Sequence, residues 1–349
     1  DATLTYFGNP NSLHKNGNEA KKKIDEASQI IADYFHTKKE NIIYTSGSSE
    51  SNNLVIKGIA DRYKKEGKHI IISAIEHSSI IAPCNYLASN GYEITVIPLL
   101  SNGSLDIDSL KKALRKDTIL VSVSTVDPEL GTIEPIPEIA KILKDYPNTY
   151  FHTDATGAIG KIDMDYKGID FLTFAPHKFY GLNGSGVLIN FNDIKITPLI
   201  HGGKSTTIYR GGTPDAANII ATSIALQEAT KKLDVNIKYI ANLKNELINK
   251  LKVIKDVHIN TPANSIPNII NFSINNADAI VKKLSDKNIY VSTKTACSSK
   301  TAPSKSVLAV TKDLNLAKNS IRVSLSHLTT KEEIDIFLKE LTEVINENN

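Results

Sequence analysis

Apolar positions along this chain change period several times, and each change marks an element. Over 19–35, EAKKKIDEASQIIADYF, they recur three and four apart, which predicts a helix packing one face on a core. Residues 41–44 (NIIY) and 69–74 (HIIISA) are short unbroken apolar runs of the buried-strand type, and strands are predicted again over 93–98 and 119–126. Helical stretches over 53–65 and 106–114 fall between them, so strand and helix alternate as in an open α/β sheet. Two further runs close on charged residues. One ends at Asp154, and the other, 170–174, leads into Ala175-Pro176-His177-Lys178. They read as neighbouring strands that each deliver one charge at a carboxyl end, the edge at which open α/β sheets bind ligands. A long helical pattern over 216–251, an alternating strand over 267–274, a helix over 278–286, a strand over 320–325 and a capped helix over 330–343 follow. They predict a large domain over 1–233 and a smaller α+β domain over 234–349, although no linker composition marks the boundary.

Lysine and carboxylate at adjacent strand ends suit pyridoxal phosphate, whose aldehyde takes a lysine amine and whose ring nitrogen needs an acidic partner. The residues alone also fit a solvated lysine and a helix-capping aspartate. Gly47, Ser48 and Ser49 lie where the strand over 41–44 turns into a helix, which makes an anion site of backbone N–H groups or an ordinary serine cap. His77 follows the strand over 69–74 and could relay a proton near neutrality or simply cap a helix. There are two cysteines. Cys84 sits in an apolar helical setting and reads as a packed core thiol. Cys297, in the polar run VSTKTACSS beside Lys294 and Lys300, has the setting that favours a reactive thiolate.

Composition narrows the classes. Charged residues are 23% of 349 and the formal net charge is +3, which demands neither nucleic acid nor a membrane surface. No apolar run approaches the roughly 20 residues of a membrane span, and no signal peptide is visible. Without CxxC spacing, neither a disulfide framework nor a metal site is expected, and a reducing cytoplasm is the expected location.

The frame His152-Thr153-Asp154-Ala155, Gly160-Lys161-x-x-x-Asp165, His177-Lys178-x-x-Gly181 and Gly184-Ser185-Gly186 resembles the core signature of the NifS/IscS-type cysteine desulfurases. These are fold-type I pyridoxal phosphate enzymes of the class V aminotransferase group, and the similarity runs from Tyr6 almost to the C-terminus. The resemblance implies a mostly parallel seven-stranded sheet, a homodimer, and conversion of L-cysteine to L-alanine with the sulfur left on the enzyme. It implies that Lys178 holds the cofactor and shuttles the Cα proton, that Asp154 keeps the ring nitrogen protonated, and that His77 stacks on the ring. Gly47, Ser48, Ser49 and His177 would complete the cofactor site, with Thr213 reaching the partner subunit's cofactor phosphate. Arg322 would bind the substrate carboxylate as a bidentate fork, Asn9 would face the substrate, and Cys297 would become a persulfide. The sulfur would pass to an acceptor protein of iron–sulfur assembly or tRNA thiolation.

Three positions depart from the family's pattern. Pro128 replaces an Asn and Gly157 replaces a Gln, both of which bond the cofactor's phenolate oxygen; Ala175 replaces a Ser that bonds its phosphate. The sequence also begins at Asp1, after the family's usual first strand. Two alternatives stay open: another reaction on the same fold, such as a selenocysteine lyase or an aminotransferase, which would not need Cys297, and a non-catalytic binding or scaffold paralogue, to which the three departures point.

Overall fold

The computed structural model describes residues 2–293 and 302–347, and Cys297 lies outside them. The chain forms two compact units, one of residues 1–97, 107–125 and 135–231, the other of 98–106, 126–134 and 232–349. Residues 98–106 and 126–134, which the sequence places in the large domain, therefore cluster with the C-terminal unit.

The first unit contains, in chain order, α1 (Ala2–Thr5), α2 (Lys15–Tyr34), β1 (Ile42–Thr45), α3 (Ser48–Arg62), β2 (His69–Ser73), α4 (Ser78–Ala88), β3 (Glu93–Ile97), α5 (Ile107–Ala113), β4 (Thr118–Ser122), α6 (Ile136–Leu143), β5 (Tyr150–Asp154), β6 (Phe171–Phe174), β7 (Gly186–Asn190) and α7 (Ala216–Lys231). Its seven strands lie in the order β1-β7-β6-β5-β4-β2-β3. Every pairing from β3 to β6 is parallel, and β7 runs antiparallel to both β6 and β1. The carboxyl ends of β1 to β6 therefore share one edge.

Burial explains the unbroken apolar runs. All residues of β2, β4, β6 and β7 are buried, because helices cover both faces of a mostly parallel sheet. Edge strand β3 instead exposes Glu93 and Val96. Two buried histidines stitch neighbouring strands. His69 bonds Thr118 Oγ1 at 2.7 Å and Thr95 Oγ1 at 2.8 Å, and His152 bonds Ser122 Oγ at 2.8 Å and Thr173 Oγ1 at 3.0 Å. Each ring thus joins three strands with hydroxyl partners and no charge.

Among the element boundaries that differ from the sequence reading, two do so for identifiable reasons. Helix α3 starts at Ser48 rather than 53, since its first turn is polar and the apolar period begins only at Leu54. The helical pattern over 216–251 breaks at Lys232, which leaves α7 in the first unit and starts α8 (Leu233–Leu251) in the second, with no glycine or proline to announce it. The second unit continues with β8 (His258–Ile259), β9 (Ile269–Ser273), α9 (Ala277–Asp286), α10 (Lys305–Thr311), α11 (Leu314–Lys318), β10 (Ser320–Ser324) and α12 (Lys331–Glu347). Its antiparallel sheet, ordered β10-β9-β8, packs Phe272 and Ile321 against Leu247, Leu284, Phe337 and Leu341 of the helices.

Burial pushes His152 down to about 4, so the folded protein holds its ring neutral. Between about 4 and the ordinary 6.5 the unfolded chain binds the extra proton, and this contribution to stability is lost as pH falls through that window. The buried carboxyl of Glu76, pushed up to about 7, works in the opposite direction. The comparison is therefore made between variants. His152→Gln should show less acid destabilisation than the parent between pH 6.5 and 4, by up to about 3 kcal/mol, in urea unfolding midpoints followed against pH. Parallel pH profiles for the two proteins would contradict this.

Candidate active site

Four strand-end turns on the shared edge carry residues of chemical interest. β1 leads through Ser46-Gly47 into α3, and β2 leads through Glu76-His77 into α4. β5 stops on Asp154, and β6 passes into a 3-10 turn at Pro176–Phe179 that presents His177 and Lys178. Both of these are exposed. The turn is closed by Gly181 N donating to Pro176 O at 2.9 Å, and a Cβ on Gly181 would sit 2.5 Å from Pro176 Cβ. Partial desolvation and the charges of Lys178 and Lys161 lower His177 below the usual histidine range.

Asp154 is buried and each carboxylate oxygen has a donor: Asn52 Nδ2 to Oδ2 at 2.8 Å and Thr156 N to Oδ1 at 2.9 Å. Asn52 also donates to Ser79 Oγ at 2.9 Å. His77 caps α4, with its Nδ1 accepting from Ser79 N at 3.2 Å and lying 2.8 Å from Ser79 Oγ. Asp154 and His77, both singled out in the sequence, are thus joined through two residues that were not. Asn52 was hidden in the polar run Ser48–Asn53; it is fully buried, as is Ser51 beside it, and its bond to Asp154 is what distinguishes it. Glu76 was passed over beside His77. Its buried carboxylate accepts from Ser73 Oγ at 2.6 Å and from Ser124 N at 2.8 Å, and burial, with Asp154 nearby, raises it to about 7.

The first turn of a helix leaves N–H groups without intrahelical partners, and at α3 these belong to the Gly47-Ser48-Ser49 turn. Glu50 secures that turn by accepting from Ser46 N at 2.8 Å and pairing with Arg210 at 3.0 Å. β7 lies directly behind it: a Cβ on Gly186 would come within 2.3 Å of Gly47 C, whereas the space at Gly47's own Cβ position is open. Thr213 is exposed and lines a cavity of about 630 Å³ with Asn11, Lys21 and Lys204. Lys178 and Asp154 do not line it, so the donor set rather than cavity size marks the reactive edge. Asn9 is exposed and its Oδ1 accepts from Asn11 N at 3.0 Å, forming a turn.

Within the second unit, Arg322 on β10 donates from Nη1 to Pro128 O at 3.0 Å, while its Nε is buried without a partner. Burial lowers Arg322, and Glu129 and Asp127 pull it back up. Asp127 accepts from Glu129 N and Leu130 N and from Ser306 Oγ at 2.7 Å, and burial pushes its carboxyl up to about 6. Ser304 Oγ donates to Glu129. Cys84 is buried and raised to about 12, as befits a core thiol. Among the described residues no cluster of His, Cys, Asp and Glu is placed to hold a metal, and no helix is long and apolar enough to cross a membrane.

The family model for class-V aminotransferases matches residues 2–337. A cysteine desulfurase IscS from Dictyoglomus turgidum is 43% identical over 346 residues, covering 97% of this chain and 88% of that protein. Among solved structures, a NifS-like protein superposes with a TM-score of 0.92 at 32% identity, over 98% of this chain and 92% of the other. SspA in complex with cysteine gives 0.80 at 29% identity, over 93% and 92%.

The packing of Gly186 on Gly47 is open to a direct test. Gly186→Ala must displace the turn and should cost about 1–3 kcal/mol, read as a thermal midpoint a few degrees lower. Gly203→Ala, whose Cβ would meet nothing within 4 Å, serves as the control and should leave the midpoint unchanged. Equal midpoints for all three proteins would contradict the packing argument.

Proposed function

Because the chain belongs to the class-V aminotransferase family, among its IscS- and NifS-type cysteine desulfurases, we propose that it converts L-cysteine to L-alanine and takes the sulfur onto Cys297. The observation that carries this reading is the strand edge itself. A buried carboxylate at the end of β5, a lysine just past the end of β6 and the N-terminus of α3 lie at the same carboxyl edge of one sheet.

That donor set fits pyridoxal phosphate. Lys178 would hold the aldehyde carbon, Asp154 the ring nitrogen, and the Gly47-Ser48-Ser49 turn the phosphate, at a helix N-terminus whose partial positive charge favours an anion. The open space at the Cβ position of Gly47 is consistent with a ligand approaching the backbone there. Bound there, the cofactor supplies an electron sink that acidifies the Cα–H of an amino acid.

The chain's own residues do the rest. Lys178 takes and returns the Cα proton, His77 would cover the cofactor ring, and Arg322, with its donor-rich planar fork, binds the substrate carboxylate. The Cys297 thiolate attacks the substrate sulfur, the Cβ–S bond breaks, and a proton delivered to the carbon skeleton completes alanine. One thiol and one cysteine thus give one alanine and one enzyme persulfide.

The sulfur then leaves to an acceptor protein of iron–sulfur assembly or tRNA thiolation. A homodimer is supported by the apolar side chains that the first unit leaves exposed, among them Phe7, Leu13, Leu182 and Ile208, with Thr213 serving the partner subunit's cofactor. Asn9 remains assigned to the substrate side, and the cytoplasm remains the assigned location.

The test is product analysis with pyridoxal phosphate and L-cysteine. The parent should release alanine, and sulfide once a thiol reductant is present. Cys297→Ala should still bind cofactor and cysteine while losing at least about 99% of both products, consistent with the 10²-fold or larger contributions typical of essential groups. Normal alanine and sulfide release by Cys297→Ala would remove the thiol from the reaction.

A further inference from the structure

We propose that Asn52 is a positioning residue of this site, whose amide orients the Asp154 carboxylate and, through Ser79, sets the tautomer of His77. The hydrogen bonds admit one consistent assignment. A carboxylate only accepts, so the atom of Asn52 that lies 2.8 Å from Asp154 Oδ2 must be the amide nitrogen, and its second hydrogen goes to Ser79 Oγ at 2.9 Å. Ser79 Oγ lies 2.8 Å from His77 Nδ1 and donates its own proton there, because that nitrogen already accepts from the Ser79 backbone N–H. The Ser79 backbone N–H points at the same nitrogen from 3.2 Å. Both bonds need the Nδ1 lone pair, which leaves the ring proton on Nε2.

The arrangement has a visible cost. Asn52 is completely buried and its Oδ1 has no partner. An unsatisfied buried acceptor destabilises a fold, and an apolar residue of similar shape would avoid the penalty. The two donations of the amide nitrogen are what this position gains in exchange. They tie α3, the start of α4 and the end of β5 into one hydrogen-bonded set, so that the group that meets the ring nitrogen and the group that covers the ring are oriented by a single side chain.

The inference rests on the reading of Asp154 and His77 as cofactor-facing residues, but its first readout does not. Two-bond ¹H–¹⁵N correlations on cofactor-free protein, with the His77 signals assigned by their loss in His77→Gln, should show the Nε2–H tautomer. Asn52→Leu and Ser79→Ala should each make the Nδ1–H tautomer detectable, and Ser79→Thr, which keeps the hydroxyl, should restore the parent pattern. The dissociation constant for pyridoxal phosphate should also rise in Asn52→Leu by roughly ten- to a hundredfold, the loss expected for one bond to a charged acceptor. If Asn52→Leu does not fold, the Ser79→Ala and Ser79→Thr pair decides the tautomer question. An Nδ1–H ring in the parent, or a ring unaltered in every folded variant, overturns the proposal. A ring that responds as stated in a protein that takes up no pyridoxal phosphate upholds the proposal and refutes the functional reading instead.

Discussion

A carboxylate buried at the end of a central strand must find donors, and the donors that Asp154 finds organise this site. Strands covered on both faces leave no room for polar side chains along most of their length, except where hydroxyls and neutral histidines satisfy one another, as around His69 and His152. Chemistry is therefore displaced to the carboxyl ends, where the chain turns and side chains can leave the ladder. There the two oxygens of Asp154 take one backbone and one side-chain donor. Through the side-chain donor the carboxylate is linked to the cap of α4, so the position of His77 depends on where α3 begins.

Much of this was legible in the sequence because period and burial coincide. The apolar runs of β2 and β4, the three-and-four spacing of α2 and the charged residues closing β5 and β6 locate the sheet and the edge at which those charges stand. What was not legible has physical causes. Asn52 and Ser79 look like ordinary polar residues at helix starts, and their roles arise from a sequence separation of 102 between Asn52 and Asp154. The α7–α8 break at Lys232 lacks a breaking residue, and the membership of 98–106 and 126–134 in the second unit is a tertiary fact without a local signal.

Two of the positions that depart from the family's pattern take on meaning in the same terms. Pro128 has no side-chain donor, but its carbonyl receives Arg322, and its neighbours Asp127 and Glu129 receive Ser306 and Ser304. That turn is committed to its own unit, holding the arginine and the stretch that follows residue 301. Ala175, fully buried at the end of β6, keeps the approach to the lysine turn apolar. Nothing in the structure explains Gly157.

The central claim is that the β6 end delivers Lys178 as the attachment point for the cofactor while the β5 end delivers its acidic partner. Borohydride reduction of the protein incubated with pyridoxal phosphate, followed by peptide mass spectrometry, tests it most directly. The account predicts a single major pyridoxyl adduct, on the peptide that contains Lys178. An adduct on a different lysine, or none at all, would contradict it.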